Sequence, residues 1–277
     1  ATVTVEDKTA PVISIPSNIN ASTGLSNEFL VVAERGGHVS YVSPSGVRTR
    51  FAGLASADGI VFENETSAFV SVFANTNPTL FRVNFKTGAV TPVANLGGVT
   101  QGLVLDGFGN IYATNEGLKK IQKVNPNTGT VTDVVTGLSY PIDVMFENSN
   151  TLLISEFSLG QIVRYNLATG TKTIVSTGHG APTDIFRESE NTIVVAEYGS
   201  GNVTRVNLTT GAKTIVANVG GGPHGIVRDD AGNLYVTQYN IGKVAKITPT
   251  GQTSTFSTGF ANPVFLSVNP KGGAYAT

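Results

Sequence analysis

The chain repeats itself every 41 residues, and the repeat is carried by the ends of short apolar runs. Glu156 closes LLISE, Glu197 closes IVVAE and Gln238 closes LYVTQ, each 41 positions after the last, and Asn115, closing IYATN, lies another 41 upstream. A second series, Gln101, Ile142, Thr183 and His224, keeps the same spacing, and each member opens an apolar run such as GLVL, DVMF, DIFR or GIVR. A fixed period of about 40 residues holding several short strands is the signature of a β-propeller, whose blades bury their apolar faces only against one another. Equivalent positions in successive blades face the same part of the ring, so the repeat also says where chemistry would gather.

The unit beginning at His224 shows why each repeat reads as a blade. Gly225-Ile226-Val227 starts an apolar strand, and Asp230-Ala231-Gly232-Asn233 is a turn cluster. Leu234–Thr237 is rich in aromatic and β-branched residues, Val244–Ile247 alternates apolar and polar, and Thr253–Phe256 is an outer, more polar strand. These are strand patterns bounded by turn residues. The turn before the outer strand recurs as FKTGAV, PNTGTV, LATGTK, LTTGAK and TPTGQT, with glycine supplying the positive φ that the turn needs. Sustained 3.6-residue apolar periodicity is absent, so the predicted class is all-β, a single propeller domain over 1–277.

Six complete units run over 11–57, 58–100, 101–141, 142–182, 183–223 and 224–263. The C-terminal remainder, FLSVNP and GGAYAT, resembles the first two strands of a further unit, and TVTV near the N-terminus resembles an outer strand. This predicts a seventh blade built from both chain ends, closing the ring and hiding both sheet edges. The alternative is six blades, with the C-terminal strands packed onto an irregular first blade.

Net charge −1 and pI about 6.4 argue against nucleic acid and anionic membrane, which require a basic face. No apolar run approaches the ~20 residues of a membrane-spanning helix. With no Cys, thiol chemistry and cysteine-ligated metal are excluded. The first residue is Ala1 rather than Met, and only 13% of the chain is charged, which points to an exported protein, secreted, periplasmic or at the cell surface. We expect a monomer with a small-molecule ligand or, on the alternative reading, a protein or glycan partner.

The start of each inner strand and the end of the next, antiparallel strand should lie near one mouth of the central channel. The first position collects Asp58, Gln101, Asp143, Asp184 and His224, and the second Glu34, Phe73, Asn115, Glu156, Glu197 and Gln238. Crowded carboxylates raise one another's pKa and invite a cation or a proton, and an oxygen-rich set suits Mg²⁺ or Ca²⁺. We therefore assign Asp143, Glu156, Asp184 and Glu197 to a divalent cation. Asp58, Gln101, Asn115 and Gln238 are assigned to substrate, and His224 with Glu197 to proton transfer. Asp143, Glu156, Asp184, Glu197 and His224 are expected to share one cavity. No organic cofactor is expected, a phosphate-cradling P-loop is missing, and the absent G-x-S-x-G pattern argues against a Ser-His-Asp nucleophile.

The stretch Gly222-Pro223-His224-Gly225-Ile226, then Gly232-Asn233-Leu234-Tyr235-Val236-Thr237, then Asn240-Ile241-Gly242-Lys243-Val244 resembles the repeat of the streptogramin B (virginiamycin B) lyase-like propellers. It is also similar to NHL and YVTN surface-protein repeats and, more distantly, to the gluconolactonase group. The lyase resemblance implies seven blades and Mg²⁺-assisted ring opening by elimination, with a His opening an inner strand and a Glu 14 residues later. His224 matches that His, Gln238 stands where the Glu is expected, and Thr183 stands where a second His is expected one blade earlier. An amide cannot act as a general base, which leaves Glu197, one blade away, as the carboxylate for that task. The reactions implied are those of a lyase or lactone hydrolase. The competing function is a non-catalytic extracellular recognition scaffold.

Overall fold

The computed structural model describes residues 30–75 and 77–268. After β1 (Leu30–Glu34), β2 (His38–Val42) and β3 (Arg48–Gly53), five four-stranded antiparallel sheets follow in chain order. They are β4 (Ala57–Asn64), β5 (Ser67–Val72), β6 (Leu80–Asn84) and β7 (Val90–Ala94); then β8 (Thr100–Leu105), β9 (Ile111–Asn115), β10 (Lys120–Val124) and β11 (Val131–Val135). The next is β12 (Pro141–Asn148), β13 (Thr151–Glu156), β14 (Gln161–Asn166) and β15 (Lys172–Ser176). The fifth blade is β16 (Pro182–Ser189), β17 (Thr192–Glu197), β18 (Asn202–Asn207) and β19 (Lys213–Asn218), and the sixth blade is β20 (Pro223–Arg228), β21 (Leu234–Gln238), β22 (Lys243–Ile247) and β23 (Thr253–Thr258). A final strand, β24 (Pro263–Val268), returns to pair antiparallel with β1, with Leu30 opposite Val268 and Val32 opposite Leu266.

The propeller therefore has six blades, not seven. β24 supplies the inner strand that the first blade lacks, and β4, β8, β12, β16, β20 and β24 meet one after another around the channel until β24 touches β4. The C-terminal run that looked like the start of a new unit completes an old one. The proposed contributions of Ala1–Lys8 and Ala274–Thr277 lie outside the described residues. The only helical element among the described residues is one 3-10 turn at Tyr239–Ile241.

The core is six apolar layers, one between each pair of neighbouring blades. Alternation along β13 shows how one strand serves two layers: Leu152 and Ile154 pack on Tyr112 and Ile121 of the third blade, whereas Leu153 packs on Ile193 and Val195 of the fifth. Successive side chains on a strand point to opposite faces, so second strands covered on both faces carry unbroken apolar runs such as Leu152-Leu153-Ile154.

Hydroxyls pin the inner strands to one another. Ser71 Oγ accepts from Gly59 N at 2.8 Å in its own blade and donates to Gln101 O at 2.7 Å in the next. Ser155 repeats this with Asp143 N at 2.9 Å and Thr183 O at 2.6 Å, and Thr237 with Gly225 N and Val264 O. The fifth blade has Ala196 at that position, and Thr183 Oγ1 takes over by donating to His224 O at 2.8 Å. The close approach leaves no room beyond glycine at Gly225, where a Cβ would lie 2.5 Å from Val264 O.

Candidate functional site

A rim of six side chains, one per blade, and an inner set of four meet at one mouth of the channel. The rim is Arg35, Phe73, Glu116, Phe157, Tyr198 and Tyr239, each directly after the last residue of its blade's second strand. Gln101, Ile142, Thr183 and His224 lie at or near the starts of the inner strands. Together with Tyr140 these ten residues line a cavity of about 210 Å³.

The cavity has a charged side and an aromatic side. Arg35 donates from Nε to Asp58 Oδ2 at 2.5 Å and from Nη2 to Gln101 Oε1 at 2.9 Å, and its guanidinium lies 3.6 Å from the Phe73 ring centroid. Gln101 passes the polarity on by donating to a Glu116 carboxylate oxygen. On the aromatic side, successive ring centroids are 5.5 Å apart for Tyr140 and Phe157, 6.1 Å for Phe157 and Tyr198, and 6.0 Å for Tyr198 and Tyr239. Burial, with Glu116 beside it, pushes the Tyr140 phenol up to about 12, so it stays a donor. His224 is buried, its Nδ1 has no partner, and burial together with the nearby Arg35 charge holds it well below the usual imidazole range. It is a neutral ring at pH 7.

Asp58 sits behind Arg35, buried, with Oδ1 unpartnered; desolvation lifts it to about 6 in spite of the guanidinium. Asp143 and Asp184 stand one position out of step with Gln101 and His224, and a one-residue step on a strand turns a side chain to the other face. They reach the neighbouring blades instead: Asp143 Oδ2 accepts from Ile185 N at 3.1 Å and Asp184 Oδ2 from Ile226 N at 2.7 Å. Burial raises both, and the Asp184 charge raises Asp143 further, so Asp143 is the member that keeps a proton.

The second series has a different occupation in the structure. Phe73, one position past the end of β5, belongs to the rim, while Glu34, Asn115, Glu156, Glu197 and Gln238 each cap the loop that leads into their own blade, and the chemical type of each follows what that loop offers. Glu156 accepts from Ser139 N at 2.7 Å, Glu197 from Gly180 N at 3.0 Å and Glu34 from Ala261 N at 2.7 Å. Where the loop presents a carbonyl the residue is an amide: Asn115 Nδ2 donates to Leu96 O at 2.9 Å, and Gln238 Nε2 to Val219 O at 2.7 Å. The carboxylates carry further partners, Lys172 at 3.0 Å on Glu156 and His179 at 2.8 Å on Glu197. Glu197 also accepts from Ser200 and Thr204, and those bonds, with His179 and the Gly180 amide, hold it down to about 2 against the cost of burial.

The structure thus brings Gln101 and His224 to one cavity, joins Asp143 to Asp184 as a buried hydrogen-bonded pair away from it, and leaves Glu156 and Glu197 each capping its own loop. Among the described residues no group of three or more His, Cys, Asp or Glu could hold a metal ion. The four carboxylates assigned to a cation do not converge on one point. The rim was missed in the sequence although its members at Glu116, Phe157, Tyr198 and Tyr239 keep the 41-residue period, one position beyond the series that was read.

No family model and no curated relative matches the chain. Among solved structures it is similar to one from a nidogen/laminin complex, with a TM-score of 0.75 and 15% identity over 87% of this chain and 98% of that one. It is also similar to selenomethionine-substituted virginiamycin B lyase from Staphylococcus aureus, with a TM-score of 0.62 and 15% identity over 88% of this chain and 86% of that one. At such identities the likeness speaks for the propeller fold.

Proposed function

We propose that this protein binds a small molecule at the channel mouth. The observation that carries the reading is the rim itself: six blades contribute one residue each, and the result is a concave, largely aromatic cavity with a few convergent polar groups rather than a water-filled polar ring. Buried His224 adds an uncharged imidazole to the cavity wall. Low charge supports placing the protein among exported ones. Calorimetry or ligand-detected NMR with a library of single-ring compounds tests the reading. Binding that falls at least tenfold (about 1.4 kcal/mol) in Tyr198→Ala supports it; binding indifferent to that change overturns it.

A second reading is a protein partner on the same face. Leu118, Leu159 and Ile241, each two residues past a rim residue, are 42%, 56% and 49% exposed, which gives the hairpin tips an apolar character. The nidogen neighbour comes from a complex with laminin. Loss of partner capture in Leu159→Ser with small-molecule binding intact would favour this reading.

A further inference from the structure

We infer that the mouth takes a small zwitterion, a molecule carrying one anionic group, one cationic group and a flat apolar body, as an aromatic α-amino acid does. The inference rests on the binding reading above and names the chemistry that the cavity's own residues would select.

Two opposite charges lie on the rim, Arg35 on the first blade and Glu116 on the third. The carboxamide of Gln101 stands between them, accepting from Arg35 and donating to Glu116. Both ends keep capacity: a guanidinium has five N–H donors, and a carboxylate accepts more than one bond. A ligand with a single charge would satisfy one end and face like charge at the other, which disfavours it. Arg35 already shares its charge with Asp58, so the cationic end of the ligand, set against Glu116, should contribute more than the anionic end.

Opposite this polar row runs the arc of Tyr140, Phe157, Tyr198 and Tyr239, whose neighbouring ring centroids are 5.5–6.1 Å apart. Such a wall favours a flat ring through offset or tilted stacking and the ammonium through its π faces. The cavity of about 210 Å³ lies below the range for drug-sized ligands and holds one ring with a short polar head. His224 Nδ1 is buried without a partner, and the neutral imidazole leaves the charge balance to Arg35 and Glu116.

Four probes of similar shape provide the test: L-phenylalanine, 2-phenylethylamine, 3-phenylpropionate and uncharged 3-phenylpropanol, each titrated calorimetrically. L-Phenylalanine should bind tightest, by about tenfold over the amine and by more over the acid. Glu116→Gln should abolish its advantage over 3-phenylpropionate. Arg35→Met alone would leave Asp58 buried without its cation, so Arg35→Met is combined with Asp58→Asn, and that variant should bring L-phenylalanine down to the amine's affinity. Equal affinity for all four probes, sensitive to Tyr198→Ala, overturns the zwitterion and leaves binding at the mouth standing. No binding by any probe, or binding untouched by Tyr198→Ala, overturns both.

Discussion

Arg35 Nε lies 2.5 Å from Asp58 Oδ2, across the boundary between the blade that closes the ring and the blade beside it. The pair joins the hairpin after β1 to the inner strand β4 at the rim of the cavity. Desolvation outweighs the guanidinium here, because Asp58 is completely buried and its carboxyl is pushed up to about 6. Such a pair fixes geometry more than it stabilises.

The first prediction follows from that sign. A carboxyl whose folded pKa is raised binds a proton in the native state that the unfolded chain has already released. Stability therefore falls as pH rises from about 4 to about 6, by up to about 3 kcal/mol from Asp58 alone. Asp184, lifted to about 6 by burial, works in the same direction. Urea unfolding across this window should show a shallower pH slope for Asp58→Asn than for the wild type. An identical slope would mean that Asp58 titrates normally.

Glu197 should behave in the opposite way. Its pKa is held down to about 2, so the stability it lends is complete above the unfolded value near 4.5 and is lost as pH falls toward 2. The size is about 3 kcal/mol. Glu197→Gln is expected to be destabilised by roughly that amount at pH 7 and to approach the wild type near pH 2, read from denaturant midpoints at each pH.

The repeat made the blades legible: in the unit from His224, the predicted strands lie within β20, β21, β22 and β23. Blade number was not legible, because β24 has the sequence of a first strand whether it opens a seventh blade or completes the first. Only its pairing with β1 decides. The site was legible in period and misread in register: Phe157 and Tyr198 face the mouth, while Glu156 and Glu197, one position earlier, turn toward the loops. That distinction depends on where the strand ends relative to the pleat, which a comb of identical contexts does not reveal. The meaning of Gln238 was hidden for another reason, since it depends on whether the facing loop presents an N–H or a carbonyl.

That meaning can be tested. Gln238 donates to Val219 O, so Gln238→Glu sets a carboxylate against a carbonyl and leaves a partly buried acceptor without a donor. The change should cost about 1–3 kcal/mol in unfolding free energy. The same exchange would restore the Glu that the lyase resemblance implies. Unchanged or increased stability would show that the loop before β20 can turn to present an amide instead.

Ring closure yields the largest effect. A chain ending at Asn262 lacks β24, which pairs with β1 and touches the inner strands on both sides. Val264, Phe265 and Leu266 are all buried, and burial of three such side chains is worth roughly 6 kcal/mol. That is comparable with the whole stability of an ordinary domain, about 5–15 kcal/mol. The truncation also exposes β1 as an unpaired, apolar edge, since Leu30, Val31 and Val32 are buried only with neighbours in place. The truncated chain should aggregate or unfold without a cooperative transition in calorimetry. A synthetic peptide covering 259–277, added in trans, should restore part of the transition by re-pairing with β1. A truncated chain that unfolds as sharply as the full one, at the same temperature, would show that five complete blades and a three-stranded first blade suffice.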